Sequence, residues 1–121
     1  MSLHVLLGLG LLGGVGALGR FLLDAAVSGR FSRGFPWGTL AVNLSGALCL
    51  GALAGAAVDG DALRLAGTGF LGAYTTFSTW MLESHRLGED GRLRLGVANL
   101  AVSLPAGLGV AWIGQQIGAA L

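Results

Sequence analysis

The residues with the most chemical potential lie close together in GFLGAYTTFSTW, positions 69–80. Four hydroxyl side chains (Thr75, Thr76, Ser78, Thr79) are interleaved there with three aromatics (Tyr74, Phe77, Trp80). Hydroxyls donate one hydrogen bond each, and an aromatic ring has a positive edge. Asn43 adds an amide with two donor and two acceptor sites. Asn99 and Ser103, four residues apart, share one face of a helix. All of these are neutral donors, and neutral donors suit a small anion. No Asp or Glu lies near the middle of an apolar run, and all seven basic residues are arginine. A proton-coupled exporter of organic cations would want a central carboxylate. A multivalent-cation pore would want an acidic ring.

Each of these groups also has a plainer reading. A hydroxyl in lipid often bonds back to its own helix, as Ser45 is placed to do. Asn43 fits helix-to-helix bonding and pore lining equally well. Arg20 and Asp24, at i and i+4, fit a pair snorkelling to the interface. Arg20 also fits a vestibule cation that concentrates anions, and the two readings are compatible. Cys49 is the only cysteine, so it forms no internal disulfide and reads as a small buried hydrophobe.

The elements that must position these groups follow from composition. The 121 residues are 54% hydrophobic and 11% charged, where soluble domains carry about 25% charged residues. About 20 apolar residues cross a bilayer. Four runs qualify, near 3–27, 38–58, 62–87 and 93–118, which predicts a single all-α membrane domain over residues 1–121. The first run lacks a basic leader and reads as a mature helix rather than a cleaved signal. Pro36 and Trp37 form the entry to the second, proline starting the helix and tryptophan suiting the interface. Four spans leave no room for a soluble catalytic domain, so the chain is not expected to be an enzyme. A net charge of +1 gives no case for nucleic-acid binding. Glycine, at 23 residues, includes the GxxxG-like pairs Gly10/Gly14, Gly51/Gly55 and Gly114/Gly118, which invite close helix neighbours within or between chains. One such bundle encloses little volume, so a dimer is expected.

Three stretches together resemble the Fluc (CrcB) family of fluoride channels: GGVGALGRF (13–21), WGTLAVNLSG (37–46) and GFLGAYTTFSTW (69–80). The resemblance covers the whole chain. It implies an antiparallel dual-topology dimer with two fluoride pores and a third helix broken mid-membrane. It implies a buried, non-transported Na⁺ at the dimer interface, held by backbone carbonyls that map to Gly72 and Thr75. Pore residues map to Asn43, Phe77, Trp80, Ser78, Thr79 and Ser103, and the vestibule arginine to Arg20. Trp80 stands where the family usually has phenylalanine, Asn99 where it often has tyrosine, and Gly107 where it often has serine. The indole N–H of Trp80 offers a donor in place of a ring edge, crowds the path, or serves packing alone. The implied activity is passive export of cytoplasmic fluoride across a prokaryotic cell membrane, which lowers its toxic level inside. A narrow path of compact donors replaces the water shell of this small ion.

Arginine placement adds a question of orientation. Arg30, Arg33, Arg86, Arg92 and Arg94 fall in or beside the first and third loops, and only Arg64 on the other side. The positive-inside rule then favours one orientation, with both termini outside. That predicts pairing with an oppositely biased paralogue, against the alternative of a homodimer whose short loops tolerate the bias. Competing functions are a small four-span multidrug or metabolite exporter and a membrane subunit without transport. The first is opposed by the missing central carboxylate, and the second leaves Asn43, Ser103 and the hydroxyl cluster unexplained.

Overall fold

A computed structural model describes residues 1–31 and 34–121, and every regular element in them is helical. Arg33, one of the arginines of the first loop, lies outside the described residues. The first helix, α1, spans Leu3–Arg30, with the Ser2 hydroxyl accepting from the Val5 N–H at 3.3 Å as its cap. Next, α2 spans Trp37–Gly55 behind Pro36, ending three residues short of the expected boundary. The last helix, α6, spans Leu93–Ala119 and runs through Pro105. Among the described residues these three helices are long and apolar enough to cross a membrane.

The stretch expected to form the third span is built from pieces. A short helix α3 (Gly60–Leu63) widens into a π-helical stretch, Arg64–Leu71, and α4 (Gly72–Tyr74) follows. The path then stops, and α5 (Ser78–Glu89) resumes it. π-helical hydrogen bonds close over five residues, as in the Gly72 N–H to the Gly67 carbonyl.

Backbone proximity holds the bundle together more than large side chains do. Contact is most extensive between α2 and α6. A Cβ on Gly51 or Gly55 would lie 2.2 Å or 2.0 Å from the Ala111 or Gln115 carbonyl oxygen. In return, a Cβ on Gly114 or Gly118 would lie 2.2 Å or 2.1 Å from the Leu48 or Ala52 oxygen. Two expected glycine pairs therefore interlock face to face within the chain. The third behaves differently: a Cβ added to Gly10 or Gly14 would meet no described atom within 4 Å, so that stripe of α1 is open. Around it Leu7, Leu11, Val15 and Leu18 are all more than half exposed, as lipid or a partner chain would require. Cys49 is exposed too, against the expectation of burial, because its face of α2 points away from α6.

Candidate functional site

Interrupting a helix frees backbone groups that must be paired where no water reaches. At the break Thr75 turns extended, with φ −79° and ψ 160°. Its N–H still reaches the Leu71 oxygen at 3.0 Å, and its hydroxyl donates to the same oxygen at 2.9 Å. Thr76 is held from α2: the Asn43 Nδ2 donates to its carbonyl at 2.8 Å, and its N–H donates to Asn43 Oδ1 at 2.8 Å. The amide of Asn43 thus takes the place of a neighbouring peptide unit. The Thr76 hydroxyl accepts from the Thr79 N–H at 3.2 Å and caps α5. Among the described residues, the carbonyls of Gly72 and Thr75 accept no hydrogen bond.

Two neighbours brace this segment at close range. On α2, a Cβ on Gly46 would sit 2.2 Å from Thr75 Cγ2, so only glycine lets the helix come this near. One turn away Ser45 donates to the Val42 oxygen at 3.0 Å, as its plainer reading expected. Its single hydrogen is then used, so the Tyr74 hydroxyl 2.8 Å away donates to it. On α1, Arg20 Nε donates to the Ala73 carbonyl at 3.3 Å. That corrects the expected pairing of Arg20 with Asp24. Asp24 accepts instead from Ser28 at 3.0 Å, and the only described salt bridges are Arg64–Asp61 and His85–Glu89. A carbonyl released by the break and a cation at a helix C-terminus attract each other more strongly than the local spacing suggested.

The break opens onto a groove of about 370 Å³ lined by Asn43, Gly72, Thr75, Phe77 and Trp80. Five of the sequence-predicted site residues therefore meet on one surface. Phe77 is 69% exposed and meets the Trp80 ring edge-on, with centroids 5.6 Å apart. Ser78 is exposed and Thr79 half-buried, and neither lines the groove. Ser103 is half-buried on α6, also outside the groove, and Arg20 stands behind the break. The Trp80 indole N–H is directed away from the groove and donates to the Asn99 main-chain oxygen at 3.2 Å. Of its open readings, that of a free donor on the path does not fit this geometry.

Sequence reasoning left out several contributors. Thr76 supplies the backbone that Asn43 holds, and its place inside the hydroxyl cluster was the available signal. Ser84 and Asn99 bond to each other at 2.8 Å, and Thr39 donates to Glu83 between α2 and α5. Ser84 follows Trp80 by one turn, and nothing in the sequence pairs Thr39 with Glu83. No described cluster of His, Cys, Asp and Glu could hold a metal ion. The unpaired carbonyls of Gly72 and Thr75 are hard oxygen donors, and such oxygens fit a cation like Na⁺.

Irregular backbone among apolar helices is tolerated where it is covered by protein or lines a polar path. Fold and groove together define a small helical membrane protein with a discontinuous segment of the kind that forms ion and solute sites. Residues 7–115 match the family model described as "CrcB-like protein, Camphor Resistance (CrcB)". The chain belongs to this family. It is 58% identical over 116 residues to the "Fluoride-specific ion channel FluC 2" of Mycolicibacterium paratuberculosis, covering 96% of this chain and 95% of that one. It is 53% identical over 117 residues to the protein of the same description from Mycobacterium bovis, covering 97% and 93%. It is 44% identical over 116 residues to "Fluoride-specific ion channel FluC 1" of Symbiobacterium thermophilum, covering 91% and 94%.

Proposed function

We propose that this chain is a subunit of a fluoride-selective channel that lets cytoplasmic fluoride leave passively across the cell membrane. The observation that carries the reading is 58% identity across nearly the full length of a relative described as a fluoride-specific channel. Residues 60–89 form a fourth, broken span beside the three long helices. The donors nearest the break line the ion path: Asn43, Phe77 and Trp80 in the groove, with Ser78, Thr79 and Ser103 continuing it. Asn43 uses one amide hydrogen on Thr76 and keeps a second for the ion. Phe77, largely exposed, presents its ring edge. Arg20 sits at the mouth and raises local anion concentration while it holds the Ala73 carbonyl.

The channel is an antiparallel dimer. Support comes from the groove itself, which a single chain leaves open, and from the two carbonyls on it without partners. Gly72 and Thr75 from each subunit would hold a structural Na⁺ there. When bound, that ion neutralises the carbonyl dipoles and ties the two breaks together. The arginine bias favours an oppositely oriented paralogue as the second subunit. Liposomes carrying the purified chain test the function: fluoride efflux far faster than chloride efflux is expected, and equal rates overturn the reading. Fast fluoride efflux from this chain alone sinks the strict need for a paralogue.

A further inference from the structure

Helices α5 and α6 are joined by a closed ring of three hydrogen bonds. The Trp80 indole N–H donates to the Asn99 main-chain oxygen at 3.2 Å. Asn99 Nδ2 donates to the Ser84 hydroxyl at 2.8 Å, and Ser84 donates to the Trp80 main-chain oxygen at 2.9 Å. A hydroxyl has one hydrogen. Because Ser84 uses it on Trp80, it meets Asn99 only as an acceptor, and the amide must turn its NH₂ inward. Asn99 Oδ1 is then buried with no donor in a residue 1% exposed. An apolar side chain would escape that cost, so the amide is kept for the bond it makes.

The surroundings reinforce the ring. Gly96, one turn before Asn99, brings α6 against α5, since a Cβ there would lie 2.9 Å from the Ser84 oxygen. On its other side the indole packs edge-on to Phe77 and forms part of the groove wall. Trp80 is therefore fixed at two points, its N–H on α6 and its ring on Phe77.

We infer that Ser84 and Asn99 are positioning residues that commit the Trp80 N–H to α6, so that Trp80 gives the groove an aromatic wall and no hydrogen-bond donor. In channel terms this rests on the fluoride reading above. A freed indole N–H would add a strong anchor beside Asn43 and slow the passage of an anion.

The test couples transport to spectroscopy. Fluoride efflux is measured for Ser84→Ala and Asn99→Leu, each made with Trp80 and in a Trp80→Phe background. With Trp80 present, each change is expected to slow efflux about tenfold, a mid-range coupling for residues in contact. In the Trp80→Phe background the same changes are expected to alter the rate little relative to that background. Equal losses in both backgrounds overturn the inference, because a general role in folding would not depend on the indole. The second readout needs no transport. In protein carrying Trp37→Phe and Trp112→Phe, hydrogen exchange of the remaining indole N–H is followed by NMR with ¹⁵N-labelled tryptophan. Slow exchange is expected in this parent and fast exchange after Ser84→Ala, and identical exchange in the two refutes the ring. A protected indole in a protein that fails to pass fluoride would instead defeat the channel reading and leave the ring standing.

Discussion

Replacing Asn43 by alanine removes both bonds that hold Thr76, each 2.8 Å long, and supplies nothing in return. A polar group left buried without a partner costs about 1–3 kcal/mol, which for two groups bounds the loss at about 6 kcal/mol. Hydrogen bonds between membrane helices are weaker in measured cycles, averaging about 0.6 kcal/mol, which puts two bonds near 1.2 kcal/mol. Asn43 and Thr76 are only half-buried and border an open groove, so solvent softens the penalty. The expected destabilisation is therefore about 1–3 kcal/mol. Equilibrium unfolding in mixed detergent–SDS micelles reads it directly. Ser45→Ala, close by on α2, is the comparison, since it costs the Tyr74 hydroxyl one partner and leaves the break untouched. Asn43→Ala is expected to lose at least twice as much stability as Ser45→Ala and to abolish fluoride efflux. Equal losses from the two substitutions would refute the claim that the amide pair holds the broken segment.

Three further outcomes follow from contacts already described. Gly114→Ala places a methyl 2.2 Å from the Leu48 oxygen and is expected to destabilise by about 1–3 kcal/mol in the same unfolding assay, whereas Gly10→Ala, with open space around it, is expected to be neutral. Arg20→Met is expected to lower fluoride efflux and destabilise the break by removing the donor to Ala73, while Asp24→Asn leaves this bond unaffected; if Asp24→Asn matched Arg20→Met in both assays, the correction of their pairing would be wrong. Phe77→Ile is expected to slow fluoride efflux while changing unfolding by less than about 0.5 kcal/mol, because the ring is 69% exposed; an intact efflux rate would remove Phe77 from the ion path.

How much of this is legible in the sequence varies by residue. Apolar runs mark α1, α2 and α6, since a helix in lipid must be apolar on every exposed face. The hydroxyl cluster marks the break for a related reason, because freed backbone groups need local donors and acceptors. Asn43 is visible as an amide in need of partners, yet its partners are not, since they depend on Gly46 letting α2 approach Thr75. Arg20 illustrates the opposite error. The i, i+4 spacing to Asp24 is a local signal, and it loses to a carbonyl 53 residues away that exists only because the helix stops. Spacing puts Asn99 on a polar stripe with Ser103, but helix rotation turns it toward Ser84 and away from the groove. Such rotations are set by backbone packing, which one sequence seldom reveals.

The π-helical stretch at Arg64–Leu71 has a consequence of phase. Wider turns carry more residues over the same height than an α-helix does, so the chain stores surplus length just ahead of the break. Each α-helical residue rotates the chain by about 100°. Deleting one residue between 64 and 71 would let that stretch relax to ordinary α-helix and would swing everything after it around the axis. Gly72 and Thr75 would leave the groove face, and Thr76 would leave Asn43. The surplus works as an angular spacer, and the aim of the whole site depends on a length that no side chain in the groove encodes.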